Sequence, residues 1–500
     1  MRRTTRLLSE DDLLSLAEEW GIDVDEREAA DLVERVNRRL RPLDEVYDVR
    51  LDPPGTTGDR SWREPTAEED PYNALVTVCS VPPTDDGPLS DLAVGLKDNI
   101  AVAGVPMQCG SAVMEGFVPN EDATVVDRLR AGGATIAAKC NLDEFAGGGR
   151  GVAVDGRISH PDDTDRFPGG SSGGSAAAVL AEQVDVALGT DTGGSVRVPA
   201  ALCGLVGVKP TYGVVPIDGV MENTYSLDHV GVISRTVETA AATLDALAGK
   251  TERDPASMAA AGHDDYTVGG YAAAAEDPVP LEELTVVRLT EAFEGSAPSV
   301  AAHVDDALDS LADAGATVTE VSLPAFDRVD TIKGCVTYPE LAQYWRDGGV
   351  PLRRGGGGES RDQVGFARRA EAASGELNSF YRGRILAGAR LLTAHGGRHY
   401  SRALAARREL RERVADALDG AEAAAVVAPT VPIVAPRHED AGDLDYGITG
   451  NTRIANVTEQ PGLTVPCGTV DELPVGLHLL GRRFDERRLF RVAAGLEPVL

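Results

Sequence analysis

Three segments of this 500-residue chain place reactive side chains where a backbone could hold them. Lys97 closes the apolar run Val94-Gly95-Leu96. A lysine at the mouth of a buried strand loses solvation, which lowers its pKa and lets it act as a base. Arginine cannot do this. The chain uses five lysines against 43 arginines, so a lysine here points to a task that arginine cannot perform. The second segment is Gly169-Gly170-Ser171-Ser172-Gly173-Gly174-Ser175. It is not a phosphate loop, because no Lys-Ser/Thr pair follows its last glycine. Gly169, Ser171 and Gly173 fit Gly-x-Ser-x-Gly, but a nucleophile elbow must follow a strand. The polar stretch Asp162 to Pro168 is not one. The third segment, Gly189 to Arg197, follows the apolar run Val184 to Leu188. Its glycines let successive N–H groups of Thr192, Gly193, Gly194 and Ser195 share one concavity, which suits an oxyanion. Ser195 stands at its edge and needs a base. His229 follows Asp228 and leaves a Ser-His-Asp arrangement open, although no spacing rule supports it.

The elements that must position these residues alternate between strand and helix. Residues 74–78, 92–96, 134–138 and 184–188 read as strands, 122–131 as a helix, and Ser175 to Leu180 as the start of another. The pattern repeats downstream: strand 284–289, helix 299–314, strand 317–321, a mostly helical stretch 326–420, then strands at 423–428, 463–465 and 476–480. Such alternation predicts an α/β fold with a large mixed, twisted sheet covered by helices on both faces. Residues 1–70 read as an N-terminal helical leader and linker, and 71–500 as one α/β domain that carries all three reactive segments. In the leader, Ser9 is the expected N-cap of a helix ended by Gly21, and a second helix covers about 26–40. Residues 52–70 are rich in Pro, Gly and acids and read as a linker. Residues 250–280 read as a polar connection, and Gly355 to Gly358 as a mobile loop.

Composition narrows the setting. Eighty acidic and 48 basic residues give a formal charge of −32. Such a surface suits high salt, where self-repulsion is screened. It is a poor match for binding nucleic acid through its phosphates. The six cysteines form no Cys-x-x-Cys pair, which predicts reduced thiols in a cytoplasm and no zinc site. Arg2-Arg3 lacks the apolar stretch of an export signal, and no apolar run approaches the length of a membrane span.

Taken together, the three segments resemble the amidase signature family. The resemblance rests on Gly95-Leu96-Lys97-Asp98-Asn99-Ile100, on the run from Gly169 to Ala178, and on the run from Gly189 through Arg197 and Cys203 to Thr211. It extends over essentially the whole chain. It implies a Ser-cisSer-Lys triad: Lys97 as base, Ser171 after a cis peptide bond as bridge, and Ser195, 24 residues on, as nucleophile. It assigns Thr192, Gly193, Gly194 and Ala146 to oxyanion and substrate binding, and Ser172, Asp191 and Arg197 to bracing the loops. No cofactor and no metal is implied.

Two branches of the family compete. Ser80 to Leu89, Leu227-Asp228-His229-Val230-Gly231, and Asn451-Thr452 with Val457-Thr458 resemble the stand-alone amidases of nitrile and amide metabolism. Asn141-Leu142-Asp143-Glu144-Phe145-Ala146 resembles the A subunit of glutamyl-tRNA(Gln) amidotransferase, a glutaminase and ammonia donor. Arg384 falls where that subunit carries a glutamine-binding arginine. Aligned on Pro461, however, the subunit's glutamine-binding aspartate falls at Thr449, and Tyr338 to Gly349 lacks its Asn-Leu-Ala-Arg-Tyr-Asp-Gly run. The expectation is therefore a stand-alone amidase that acts on a small-molecule amide through an acyl-enzyme, in the cytoplasm. It would have no nucleic-acid or membrane partner, and the resemblance implies a homodimer.

Overall fold

Val186, Ala187 and Leu188 are apolar at consecutive positions, which predicts a strand buried on both faces. The computed structural model describes residues 6–48, 59–147, 152–349, 361–440 and 447–500. In it Val186–Asp191 is buried at all six positions. Val186 and Leu188 belong to one core and Ala187 to another, so each face of the strand has its own packing. One core draws on the helices Thr124–Ala131 and Val237–Leu247, the other on Ala176 to Val179 of the helix Gly173–Leu180. The result is a mixed α/β fold around a mixed sheet with twelve strands among the described residues.

The chain divides into two compact units, Met1–Gly55 and Thr56–Leu500. In the first, Glu10–Trp20 is a helix with a reciprocal cap between Ser9 and Asp12, and Gly21 ends it at φ 65°. A left-handed residue there satisfies the last carbonyls. A second helix spans Ala29–Leu40.

The second unit contains the whole sheet. The strand Ala93–Lys97 runs parallel to both neighbours, Thr135–Cys140 and Val186–Asp191. Three carboxyl ends therefore emerge together, at the edge where open α/β sheets collect their ligands. Beyond Val186–Asp191 the sheet continues antiparallel through His229–Ser234, Val206–Lys209 and Gly462–Val470. Gly462–Val470 and Leu473–Leu480 form a hairpin next to Ala425–Pro429.

Two expectations need correction. Residues 52–70 are not simply a linker: Ser61–Arg63 pairs antiparallel with Leu75–Val81 at the sheet edge. A three-residue strand is too short to display a period in sequence. Residues 250–280 hold two helices, Pro255–Ala260 and Tyr271–Ala275. The Asp254 side chain caps the first by accepting the N–H groups of Ala256 and Ser257, with Pro255 at the opening turn. The expected Gly355–Gly358 loop lies outside the described residues.

Candidate active site

Lys97 ends its strand fully buried. Its Nζ lies 2.8 Å from Ser171 Oγ, 2.8 Å from Thr190 Oγ1 and 3.3 Å from the Thr190 carbonyl. Burial pushes this lysine down to about 7, although Asp143, Asp191 and Asp228 pull the other way. A second buried pair lies beside it, Lys139 Nζ to Asp98 Oδ1 at 2.8 Å. The other Asp98 oxygen accepts the N–H groups of Gln108 and Cys109. That carboxylate is thus satisfied by partners of its own, and Lys97 keeps polar neighbours that do not demand its charge.

Ser171 and Ser172 stand between the polar stretch 162–168 and the helix Gly173–Leu180. The Gly170–Ser171 peptide bond is cis. Ser171 is buried and aims its hydroxyl at Lys97. The Ser172 N–H donates to the Ser195 carbonyl at 3.2 Å, which ties the two serine loops together. The Ser172 hydroxyl lies 3.3 Å from the Thr190 carbonyl and braces the same strand end.

Ser195 follows that strand on a loop shaped by Asp191. One Asp191 oxygen accepts the Gly194 N–H at 2.7 Å, the other the Val196 N–H at 3.1 Å. Arg197 pairs with both oxygens, and Asn456 Nδ2 donates to one of them at 2.8 Å. Burial alone would raise the Asp191 pKa, but Arg197, Lys209 and Asn456 outweigh it and hold the carboxyl below its usual range. From Asp191 to Ala200, Ser195 is the one residue that is not buried. The Gly194 N–H, expected among the oxyanion donors, is committed to Asp191 instead. The N–H groups of Thr192, Gly193 and Ser195 have no partner among the described residues. Gly194 contributes its backbone: at φ 132° and with Thr452 Oγ1 against it, no side chain fits there.

His229 does not belong to this group. Its Nδ1 faces the Leu227 and Asp191 carbonyls, and its Nε2 lies 3.3 Å from Lys209 Nζ. Asp228 is engaged by the Thr192 hydroxyl at 2.6 Å and by the N–H groups of Asn223 and Thr224. The partners of His229 and Asp228 are these groups and not the Ser195 hydroxyl, and the Ser-His-Asp arrangement is not assembled.

Ala146, at φ 55°, and Gly147 form a wall of backbone carbonyls held by side chains. The Ala146 carbonyl accepts from Asn223 Nδ2 at 2.7 Å, and the next carbonyl, Gly147, accepts from Arg384 at 3.0 Å. Arg384 also donates to Asn223 Oδ1 at 3.1 Å, so it is tied to this wall. Sequence reasoning missed Thr190, Thr452, Asn456 and His478 as parts of the site. Thr452 Oγ1 donates to the Gly193 carbonyl, and Arg197 reaches the Thr452 carbonyl and His478 Nε2. These partners lie more than 250 positions from the loop they hold, and no local spacing announces them. Among the described residues no group of three or more His, Cys, Asp or Glu could hold a metal ion. Nor is any helix among them long and apolar enough to cross a membrane.

The Amidase family model matches residues 79–490. The chain is 39% identical over 437 residues to the A subunit of glutamyl-tRNA(Gln) amidotransferase from Haloarcula marismortui, covering 85% of this chain and 99% of that one. The same subunit of Natronomonas pharaonis is also 39% identical, with the same coverage. Among solved structures, the A subunit of glutamyl-tRNA(Gln) amidotransferase from Thermotoga maritima has a TM-score of 0.69 at 29% identity, covering 86% of this chain and 88% of that one. Native peptide amidase from Stenotrophomonas maltophilia has a TM-score of 0.69 at 33% identity, with coverages of 82% and 83%. The chain-wide match to the A subunits overturns the expectation of a stand-alone amidase with a small-molecule partner alone and no link to nucleic acid. Thr449 and the 338–349 run, on which that expectation turned, are short stretches; identity spread over 437 residues outweighs them. By its matched model and by these relatives, the chain belongs to the amidase family, whose fold and C–N bond hydrolase character it shares.

Proposed function

We propose that this chain is the A subunit of a glutamyl-tRNA(Gln) amidotransferase, the glutaminase that supplies ammonia to a partner chain. Neutral Lys97 takes a proton from Ser171, Ser171 takes one from Ser195, and Ser195 attacks the side-chain amide of glutamine. The N–H groups of Thr192, Gly193 and Ser195 receive the oxyanion, and Ala146 takes part in substrate binding. Ser171 returns a proton to the departing ammonia, and water then releases glutamate by the same relay. Ser172, Asp191 and Arg197 hold the two loops in place.

The observation that carries the chemistry is a buried lysine, held near 7 by burial, 2.8 Å from a buried serine hydroxyl on a loop bonded to Ser195. Support for the amidotransferase assignment is the 39% identity over 99% of the Haloarcula marismortui protein. The test is ammonia release from L-glutamine by the purified chain, alone and with a co-expressed B-type partner chain and charged tRNA. Release that needs the partner and disappears in Ser195→Ala is the expected result. Fast release from simple aliphatic amides by the chain alone, with glutamine inert, would sink the proposal.

A charge of −32 also predicts a protein suited to concentrated salt. Salt screens repulsion between surface carboxylates within a Debye length of about 3 Å at 1 M, against about 10 Å at 0.1 M. Melting temperature and activity should both rise from low to molar potassium chloride. Equal values at the two salt levels would contradict this.

A further inference from the structure

Lys333 stands outside the proton relay yet reaches the loop that carries Ser195. It is the fifth residue of the helix Val329–Arg346. Its Cε lies 2.7 Å and its Nζ 3.5 Å from the point that a Cβ on Gly193 would occupy. The lysine chain thus lies directly against the Gly193 backbone.

The other charged groups on this side already have partners. Asp228 accepts from Thr192, Asn223 and Thr224. Asp330, on the same helix as Lys333, pairs with Arg453. Arg384 donates to the Gly147 carbonyl and to Asn223. Among the described residues Lys333 has neither a hydrogen-bond nor an ion-pair partner. Burial pushes it down to about 7; Arg384 and Arg453 push the same way, against Asp330 and Asp228. An amine set against Gly193, with no carboxylate paired to it among the described residues, is a place that a ligand carboxylate completes.

We infer that Lys333 contacts a carboxylate of the substrate and so selects amides that carry one. This deepens the glutaminase reading and rests on it for the identity of the substrate. On this account Lys333 is a specificity residue with no part in proton transfer. A neutral replacement should weaken carboxylate-bearing amides and leave their uncharged analogues unaffected.

The test is equilibrium binding to the Ser195→Ala chain, so that turnover does not intervene. The probes are glutaramate, which carries a carboxylate, and valeramide, which has the same length without one. At about pH 6, where Lys333 is charged, Lys333→Met should weaken glutaramate by about tenfold and leave valeramide unchanged. Lys333→Arg should retain most of the glutaramate affinity. With Lys333 present, glutaramate should also bind more weakly as pH rises from about 6 to about 8.5, because the lysine loses its proton. In the Lys333→Met variant this pH dependence should shrink to the part set by Lys97, which is also held to about 7. Melting curves and a second variant, Lys333→Gln, separate these effects from misfolding. Equal weakening of both probes, or none of either, overturns the inference. The glutaminase reading fails separately if the wild-type chain with its partner leaves L-glutamine intact while glutaramate binding still depends on Lys333.

Discussion

Lys97→Met lowers kcat for glutamine-dependent ammonia release by about 10⁴-fold, the upper range for loss of a general base that acts within a coupled unit. Lys97→Arg fares no better, because a guanidinium keeps its proton at every workable pH. The fold survives the Met change, since it replaces a fully buried amine with an apolar chain of similar length. The sign of the pH dependence follows from the lowered pKa. The working form is the neutral amine, and Lys97 is held to about 7. Below that value the lysine is protonated, and kcat falls by about tenfold per pH unit; above it, kcat levels off. Reading kcat at saturating glutamine keeps Lys333 and other binding groups out of the profile. A flat profile, or a Met variant with near-normal turnover, would mean that Ser195 is activated in another way.

The second large effect concerns the ion pair beneath the nucleophile loop. Asp191 and Arg197 are both fully buried, 3.0 Å apart. Removing one partner leaves an uncompensated charge in the interior, which costs about 3–5 kcal/mol. Arg197→Met and Asp191→Leu should each destabilise by that amount in urea unfolding. The double variant removes both charges and should lose markedly less than the two single losses added together. Its activity should stay low, because Gly194 and Val196 have then lost the acceptor that shapes the loop. Strictly additive losses would show that the pair is not coupled.

These two cases also show what the sequence makes legible. Lys97 and Ser195 stand out because each ends a local pattern, an apolar run or a glycine-rich turn, whereas Ser171 is singled out only by the resemblance to the family. The strands behind them can be read from their apolar composition. The partners that fix those patterns cannot. Asn456 and Thr452 reach the nucleophile loop from across the sheet, and nothing near either residue marks the contact. Val206–Lys209 and His229–Ser234 are buried at every position, so they lack the alternation that identifies a strand. Gly194 is misassigned as an oxyanion donor because the sequence shows a glycine but not the carboxylate in front of its N–H. The choice between branches fails for a related reason. It rests on a few pocket positions, and a pocket is assembled from segments whose relative placement the sequence does not display.

The most direct test of the central claim is the location of the acyl group during turnover. The chain and its partner are mixed with L-glutamine, quenched rapidly in acid, and mapped by peptide mass. The account predicts one glutamyl group on the peptide that carries Ser195, and neither adduct nor turnover in Ser195→Ala. An adduct on another residue, or turnover that persists in Ser195→Ala, would contradict it.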